Sequence, residues 1–142
     1  MAVVTAPRSG EDRVLLENIS WSTYEALLED LGPRRGVHVT YDRGLLEIMT
    51  LSPRHERIRA LLARFIAILA LELDLEVAAF GATTWKRRDL RRGFEGDECY
   101  YVASERLVRE KEDIDLRRDP PPDLLVEVDI TRSSLKREAI HA

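Results

Sequence analysis

Apolar positions recur at two different spacings along the chain, and the spacing separates predicted helices from predicted strands. Between residues 21 and 31 the apolar residues lie three or four positions apart, which is the pattern of an amphipathic helix. Ser22 and Glu25 have the spacing of a capping box at its start. Gly32 and Pro33 follow it and predict its end. We expect this helix to pack on the core through its apolar face.

A second helical pattern begins at Ser52 and runs for about twice that length. Ser52 suits the N-cap position and Pro53 the first helical position. Apolar residues then recur every three or four positions as far as Leu73. His55 and Glu56 fall in the first turn, where the helix dipole favours an acid. We expect this long helix to bury one broad face against a sheet.

Alternation of apolar and polar residues predicts strands elsewhere. Residues 37–41 and 45–49 alternate on either side of Asp42, Arg43 and Gly44, which is typical of a β-hairpin because glycine tolerates positive φ. His38 occupies a polar position of this alternation, and we expect it to face solvent. Two further strands are predicted over residues 75–80 and 83–86.

Three prolines introduce the most apolar strand of the chain. The run over residues 124–130 is rich in Leu, Val and Ile, which indicates a strand buried on both faces. Asp123, Glu127 and Asp129 lie at alternate positions and would share one face. An unpaired buried carboxylate costs several kcal/mol. These acids are therefore expected to reach solvent, pair with bases or hold a cation.

A glycine turn leads into another strand at Asp97. Cys99 follows two positions later, and no base accompanies it in the nearby sequence. We therefore predict that Cys99 is a buried small hydrophobe and not a nucleophile. Residues 104–112 indicate a short helix, and residues 114–116 an irregular connection to the prolines.

The charge balance limits the range of partners. The 142 residues suit a single domain, 34% of them are charged, and the net charge is −4. This balance argues against a general nucleic-acid coat protein. Residues 86–92 nevertheless contain five basic side chains. They form either a solvated loop or a loop that faces phosphate.

The ends of the chain and its one cysteine complete the picture. A single cysteine excludes an internal disulfide framework, and we find no signal peptide and no apolar stretch of membrane-spanning length. We therefore predict a soluble cytoplasmic protein with no membrane partner. Residues 1–12 are expected to form a flexible tail and residues 13–142 a single domain. The stop at Ala142, two turns into a predicted helix, indicates a fragment or a shortened reading frame.

An acid at the start of one strand, a glutamate on the next and a cation on the following helix are what metal-assisted phosphodiester cleavage requires. At these residues the sequence resembles the PD-(D/E)xK nuclease superfamily and, within it, the Uma-two family of restriction-endonuclease-like bacterial proteins. The resemblance runs from Trp21 to the end of the chain. Its most specific segments are residues 40–44 (TYDRG), 52–56 (SPRHE), 96–101 (GDECYY) and 122–131 (PDLLVEVDIT).

The resemblance implies an α/β (α+β) fold in which helices flank a mixed central β-sheet. It also implies an endonuclease that hydrolyses DNA with Mg²⁺ or Mn²⁺. Asp97 matches the first acid of the motif and Glu127 the second, so both are expected to hold the metal. Glu56 resembles the extra acid that the first core helix often supplies. Its other interpretation is a surface residue that complements the helix dipole.

Asp129 departs from the motif, which has a lysine at that position. The resemblance implies that the cation has moved to the following helix, where Lys136 and Arg137 are the candidates. Arginine binds phosphate well but stays charged, which makes it a poor proton donor. The alternative is therefore an inactive nuclease-like domain that binds nucleic acid or a protein partner. Relatives continue into further strands, which predicts an exposed sheet edge and self-association through it.

Overall fold

A computed structural model describes residues 11–33 and 36–130 of the chain. Helices and antiparallel strands occur together, which confirms the predicted α+β class. In chain order the elements are β1 (Arg13–Leu16), α1 (Trp21–Leu31), β2 (Val37–Asp42), β3 (Leu45–Thr50), α2 (Pro53–Glu72), β4 (Ala78–Ala79), β5 (Thr84–Arg87), β6 (Arg92–Glu95), β7 (Glu98–Tyr101), α3 (Glu105–Val108) and β8 (Leu124–Val126).

The strands form two sheets, where the resemblance implied one central sheet. The first has five strands in the order β1-β3-β2-β6-β5, and the second has three in the order β4-β7-β8. Every ladder within the described residues is antiparallel. Gly96 and Asp97 separate β6 of the first sheet from β7 of the second. Asp97 therefore lies where the chain passes between sheets.

The predicted hairpin is confirmed, and its turn explains its register. β2 and β3 pair with Tyr41 opposite Leu46 and Asp42 opposite Leu45. The two residues between them, Arg43 and Gly44, both have positive φ, at 47° and 107°. This is the backbone that a two-residue type I′ turn requires, and it matches the twist of the strands.

The start of α1 differs from the prediction, whereas its end agrees. The hydroxyl of Ser20 accepts a hydrogen bond from the amide of Thr23 at 3.1 Å, so Ser20 is the N-cap. Ser22 already lies inside the helix, and the predicted capping box of Ser22 and Glu25 is wrong. At the other end Gly32 has φ 58°, a left-handed conformation that glycine adopts without strain. The predicted stop is confirmed.

An aromatic core holds α1 on the five-stranded sheet. The ring of Tyr24 stacks on that of Tyr41 with centroids 4.9 Å apart, and Trp21 meets Tyr41 edge-on at 5.5 Å. A Cβ atom at Gly93 of β6 would lie 2.2 Å from the hydroxyl oxygen of Tyr24. Glycine at this position therefore lets the helix approach the sheet.

The long helix does not bury the face that its periodicity predicted. Ser52 caps it and Pro53 begins it, as expected. Within the described part of the chain, however, Leu61, Phe65 and Leu69 are 56%, 63% and 45% exposed. The predicted broad contact with a sheet is therefore wrong for these residues. Periodicity specifies an apolar face but not its partner, and among the described residues of α2 only His55, in the first turn, is fully buried.

Strand β7 is the most buried strand of the second sheet. All four of its residues are buried, and the indole nitrogen of Trp85 donates to the sulfur of Cys99 at 3.0 Å. Burial raises the pKa of the Cys99 thiol to about 11. The prediction that Cys99 is a buried hydrophobe is confirmed, and a second core cluster forms around Cys99 and Tyr101.

The proline-led strand is shorter and more exposed than predicted. β8 covers only Leu124–Val126 and lies at the edge of the three-stranded sheet. An edge strand lacks a neighbour on one side, so the prediction of burial on both faces is wrong. Glu127 and Asp129 follow the strand, and its alternation does not extend to them. The strand predicted over residues 75–80 likewise shrinks to β4.

The predicted tail is too long at its inner end. Residues 1–10 lie outside the described residues. The amide of Asp12 donates to the hydroxyl of Thr50 at 3.1 Å, and Glu11 is 6% exposed. Glu11 and Asp12 therefore already contact the first sheet, which the loose polar sequence did not indicate.

Candidate active site

Asp97 is clamped between the two sheets by backbone hydrogen bonds. Its amide donates to the carbonyl of Val126 at 3.1 Å, and its Oδ2 accepts from the amide of Val128 at 2.6 Å. The preceding Gly96 allows this approach, because a Cβ there would lie 2.3 Å from Cδ1 of Leu125. The carboxylate is 2% exposed. The predicted position of Asp97 at the start of a strand is confirmed.

Two histidines from different elements meet the other oxygen of Asp97. Nε2 of His55 lies 3.0 Å from Oδ1, and Nδ1 of His38 lies 3.5 Å from it. The imidazole rings are nearly perpendicular, with centroids 6.2 Å apart. His38 is 6% exposed, so the prediction that it faces solvent is wrong. Its strand β2 is the middle strand of the first sheet, and both of its faces are covered.

The environment raises the pKa of Asp97. Burial is the largest cause, because it disfavours the charged form. The hydrogen bond from the amide of Val128 and the nearby His55 act in the opposite direction, and the negative charge of Glu56 adds to the rise. Desolvation therefore outweighs the partners. A carboxylate that is kept in such surroundings is a candidate for function.

His55 also connects Asp97 to the acid in the first turn of α2. Its Nδ1 lies 3.3 Å from Oε1 of Glu56. The guanidinium of Arg59 bonds Glu56 at 3.1 Å and reaches Glu98 of β7 as well. The side chain of Glu56 is 44% exposed. Glu56 is thus held from two sides and remains open to solvent.

A second ionic cluster centres on Arg13 of β1. Its guanidinium contacts Glu11 at 3.1 Å, Glu47 at 3.0 Å and Asp129 at 2.6 Å. Oε1 of Glu11 lies 3.9 Å from Nε2 of His55, which joins this cluster to the surroundings of Asp97. Asp129, which stands where the nuclease motif has a lysine, therefore holds a cation from a distant strand.

Glu127 follows β8 directly, between the two residues that bond the backbone and side chain of Asp97. Val126 and Val128 fix the chain on either side of it. The carbonyl of Val126 accepts a hydrogen bond from the amide of Asp97, whereas the β7–β8 ladder pairs Val126 with Glu98. The register thus shifts by one residue at the site. Lys136 and Arg137, the predicted cations, lie outside the described residues.

The donor set bears on metal binding. Among residues 11–33 and 36–130, no group of three or more His, Cys, Asp or Glu side chains is arranged to hold a metal ion. Oδ1 of Asp97 is buried and has no hydrogen-bond partner in that part of the chain, since its contact with His55 lacks hydrogen-bond geometry. Mg²⁺ keeps several waters and is usually held by one or two carboxylates. A buried carboxylate oxygen without a hydrogen-bond partner can serve such an ion, and Glu56 lies near enough to influence the pKa of Asp97.

The sequence predicts Asp97, Glu56 and Glu127 as site residues but does not predict the contacts around them. His38 was assigned to solvent, and the ion pairs of Arg13 were not anticipated. The contact between Arg13 and Asp129 joins positions 116 residues apart, and nothing in the local pattern indicates it. The signal for His55 was its place next to Glu56 in a capped first turn.

Comparison with known proteins supplies the family. The profile of the Uma2 family, described as "Putative restriction endonuclease", matches residues 21–140. No curated protein and no solved structure matches the chain. No helix among the described residues is long and apolar enough to cross a membrane. The match covers most of the chain and includes the segments around Glu56, Asp97 and Glu127, and the chain therefore belongs to the Uma2 family.

Proposed function

We propose that this protein is a metal-dependent endonuclease that hydrolyses phosphodiester bonds of DNA. The observation that carries the proposal is the clamp on Asp97. Hydrogen bonds to Val126 and Val128 bring the loop that bears Glu127 beside a buried carboxylate, and His55 links the same carboxylate to Glu56. Family membership supports the reaction class.

Asp97, Glu127 and Glu56 are the residues that would hold Mg²⁺ or Mn²⁺. When bound, such an ion polarises the phosphate and lowers the pKa of a coordinated water. The acids serve this purpose through their placement, because preorganised charges need no rearrangement during the reaction. His55 lies in contact with both Asp97 and Glu56, and Arg59 holds Glu56 on its other side.

The cation of the site is proposed from the sequence. Lys136 or Arg137 would offset the charge that grows on the phosphate. Arg13 is less suited to this task because three carboxylates already surround it. Its side chain is also 9% exposed.

One observation favours the alternative of an inactive nuclease-like domain that binds nucleic acid. Asp129 occupies the lysine position of the motif and forms an ion pair with Arg13. In that case the acids would serve the fold, and the chain would bind nucleic acid without cleaving it, whether or not Lys136 and Arg137 are substituted.

Nicking of supercoiled plasmid with Mg²⁺ or Mn²⁺ tests the proposal. We expect the unaltered chain to nick, and Asp97→Asn and Glu127→Gln each to slow the reaction at least about 100-fold, because each removes several kcal/mol of charge stabilisation. The matched controls are Asp30→Asn and Glu112→Gln, which change exposed acids away from the site. Both should nick at the normal rate.

A second readout does not depend on turnover. The free Mn²⁺ signal in electron paramagnetic resonance should fall when the protein is added, and the Asp97→Asn, Glu127→Gln double variant should lose this effect. Equal nicking by the unaltered chain and both site variants, with Mn²⁺ binding unchanged, would overturn the proposal.

A further inference from the structure

The turns of two hairpins meet at one end of the five-stranded sheet. The amide of Arg43, in the β2–β3 turn, donates to the carbonyl of Arg91, before β6, at 2.9 Å. Both residues have positive φ, so each turn is tight. Arg92 begins β6 opposite Asp42, whereas Asp97 follows the other end of that strand. We call residues 42–44 and 86–92 the basic tip.

The basic tip concentrates positive charge on an acidic protein. It holds six basic and two acidic side chains, whereas the whole chain has a net charge of −4. The predicted basic loop is thus part of β5, a turn and the start of β6. Arg88 and Arg91 are exposed, and neither has an acidic partner in the described part of the chain.

The two acids of the basic tip hold other arginines in place. Asp42 accepts from Arg43 at 2.9 Å and from Arg92 at 3.3 Å. Asp89 accepts from Arg87 in two bonds, of 2.8 and 2.6 Å. These bonds leave the guanidinium groups charged and restrict their orientation. Planar guanidinium groups that are already ordered lose less conformational entropy when they bind phosphate.

The distance from the basic tip to the acids suits one duplex. Asp97 lies five positions after Arg92, and a strand rises about 3.4 Å per residue, so their Cα atoms are at most about 17 Å apart. One strand of B-DNA carries a phosphate every 3.4 Å along the axis. The separation therefore corresponds to at most about five base pairs.

We propose that the basic tip binds the sugar-phosphate backbone of double-stranded DNA, within about five base pairs of the phosphate at Asp97. The choice of DNA as the polyanion rests on the proposed function. The contacts would be independent of sequence, because arginines that bind phosphate fix the position of the duplex and do not read bases. Arg43, Arg88 and Arg91 supply them.

Fluorescence anisotropy with a labelled duplex of about 20 base pairs, roughly four times that span, tests the proposal in EDTA, where no cleavage occurs. The variant carries Arg43→Gln, Arg88→Gln and Arg91→Gln. We expect its Kd to rise at least about tenfold, and the slope of log K against log salt to become shallower by about 2 to 3, because each lost phosphate contact removes about 0.9.

The matched control removes three exposed arginines outside the basic tip, with Arg57→Gln, Arg64→Gln and Arg106→Gln. It loses the same net charge, and its slope should change by less than about 1. Arg88→Gln alone, at an exposed side chain without an acidic partner, should lower the slope by about 0.9 even if the triple variant folds poorly. Equal loss in both triple variants would show a general charge effect and overturn the proposal.

The outcome is separable from that of the proposed function. Asp97→Asn should bind the duplex as the unaltered chain does, so binding through the basic tip without any cleavage would reject the nuclease and retain the surface. Cleavage that depends on Asp97 but is indifferent to the triple variant, with unchanged Kd, would do the reverse. Tighter binding to vesicles of one-quarter phosphatidylserine than to the duplex would also overturn the proposal.

Discussion

The two ends of the β7–β8 ladder each carry an aspartate, and the two behave in opposite ways. Asp123 precedes β8, where its carboxylate accepts the amides of Val102 and Ser104, both at 2.8 Å, and the hydroxyl of Ser104 at 3.1 Å. The hydrogen bond from the Ser104 amide is the largest cause that lowers its pKa. Asp97, at the other end, accepts one backbone amide and has a raised pKa because it is buried.

The difference separates an acid that folding alone explains from the acid that we propose to be functional. A carboxylate with a lowered pKa stabilises the fold in its charged form, so folding alone explains Asp123. A carboxylate with a raised pKa costs stability at neutral pH, so Asp97 needs another reason to be there. The dipeptide Pro122-Asp123 has the sequence of the nuclease motif, but the geometry favours Asp97 as its first acid.

Cleavage gives the largest expected contrast between the two ends. Asp97→Asn should slow plasmid nicking at least about 100-fold, as proposed above, because it removes a charge at the reacting phosphate. Asp123→Asn should stay within about threefold, because an amide oxygen still accepts from Val102 and Ser104. Initial rates in Mg²⁺ measure both. A larger loss of nicking rate for Asp123→Asn than for Asp97→Asn would show that Asp123, and not Asp97, is the first acid of the motif.

In stability measurements the order should reverse, and a change at Asp123 should cost more than a change at Asp97. In EDTA at neutral pH, Asp123→Ala should lower the free energy of unfolding by about 1 kcal/mol, the usual cost of a lost backbone cap. Asp97→Asn should not lower it, because the amide removes a buried charge and its oxygen still accepts from Val128. Urea denaturation of both variants and the unaltered chain measures this. A loss of more than about 2 kcal/mol for Asp97→Asn would mean that the charge itself holds the sheets together.

The sequence predicted the elements better than their surroundings. The hairpin turn at Gly44, the stop at Gly32 and the cap at Ser52 follow from local backbone preferences, which act over a few residues. The prediction that α2 is buried was wrong, because burial depends on what lies opposite the helix. Phe65, at 63% exposed, lies at the same spacing in the sequence as a buried residue would.

The residues of the candidate site likewise divide into those that local sequence predicts and those that depend on packing. Asp97 could be predicted because a glycine turn placed it at the start of a strand. The burial of His38 could not be predicted. Alternation assigns polar residues to an exposed face, but both faces of the middle strand β2 are covered. The contact between Arg13 and Asp129 depends on the packing of β1 beside the residues after β8, and no local pattern specifies it.

The pH dependence of stability gives the smallest contrast and the most specific one. Asp97 has a raised pKa in the folded protein, so the folded state binds protons more tightly there than the unfolded chain does. Its stability cost is full above the folded pKa and disappears below the unfolded pKa of about 3.9. The advantage of Asp97→Asn over the unaltered chain should therefore shrink as the pH falls from 7 towards about 4.

The pKa shift of Asp123 affects stability in the opposite direction. Its pKa is lowered, so its contribution is full above the unfolded pKa of about 3.9 and is lost only as the pH falls through the lower folded pKa. At about pH 4, where the advantage of Asp97→Asn has nearly vanished, the deficit of Asp123→Ala should still be largely present. Urea midpoints of the three proteins across this range measure both differences. His38, His55 and Glu56 are present in all three proteins, so the comparison with the unaltered chain removes their shared contribution. An advantage of Asp97→Asn that grew on acidification would show that hydrogen bonding and not burial controls Asp97, and the two ends of the ladder would then be alike.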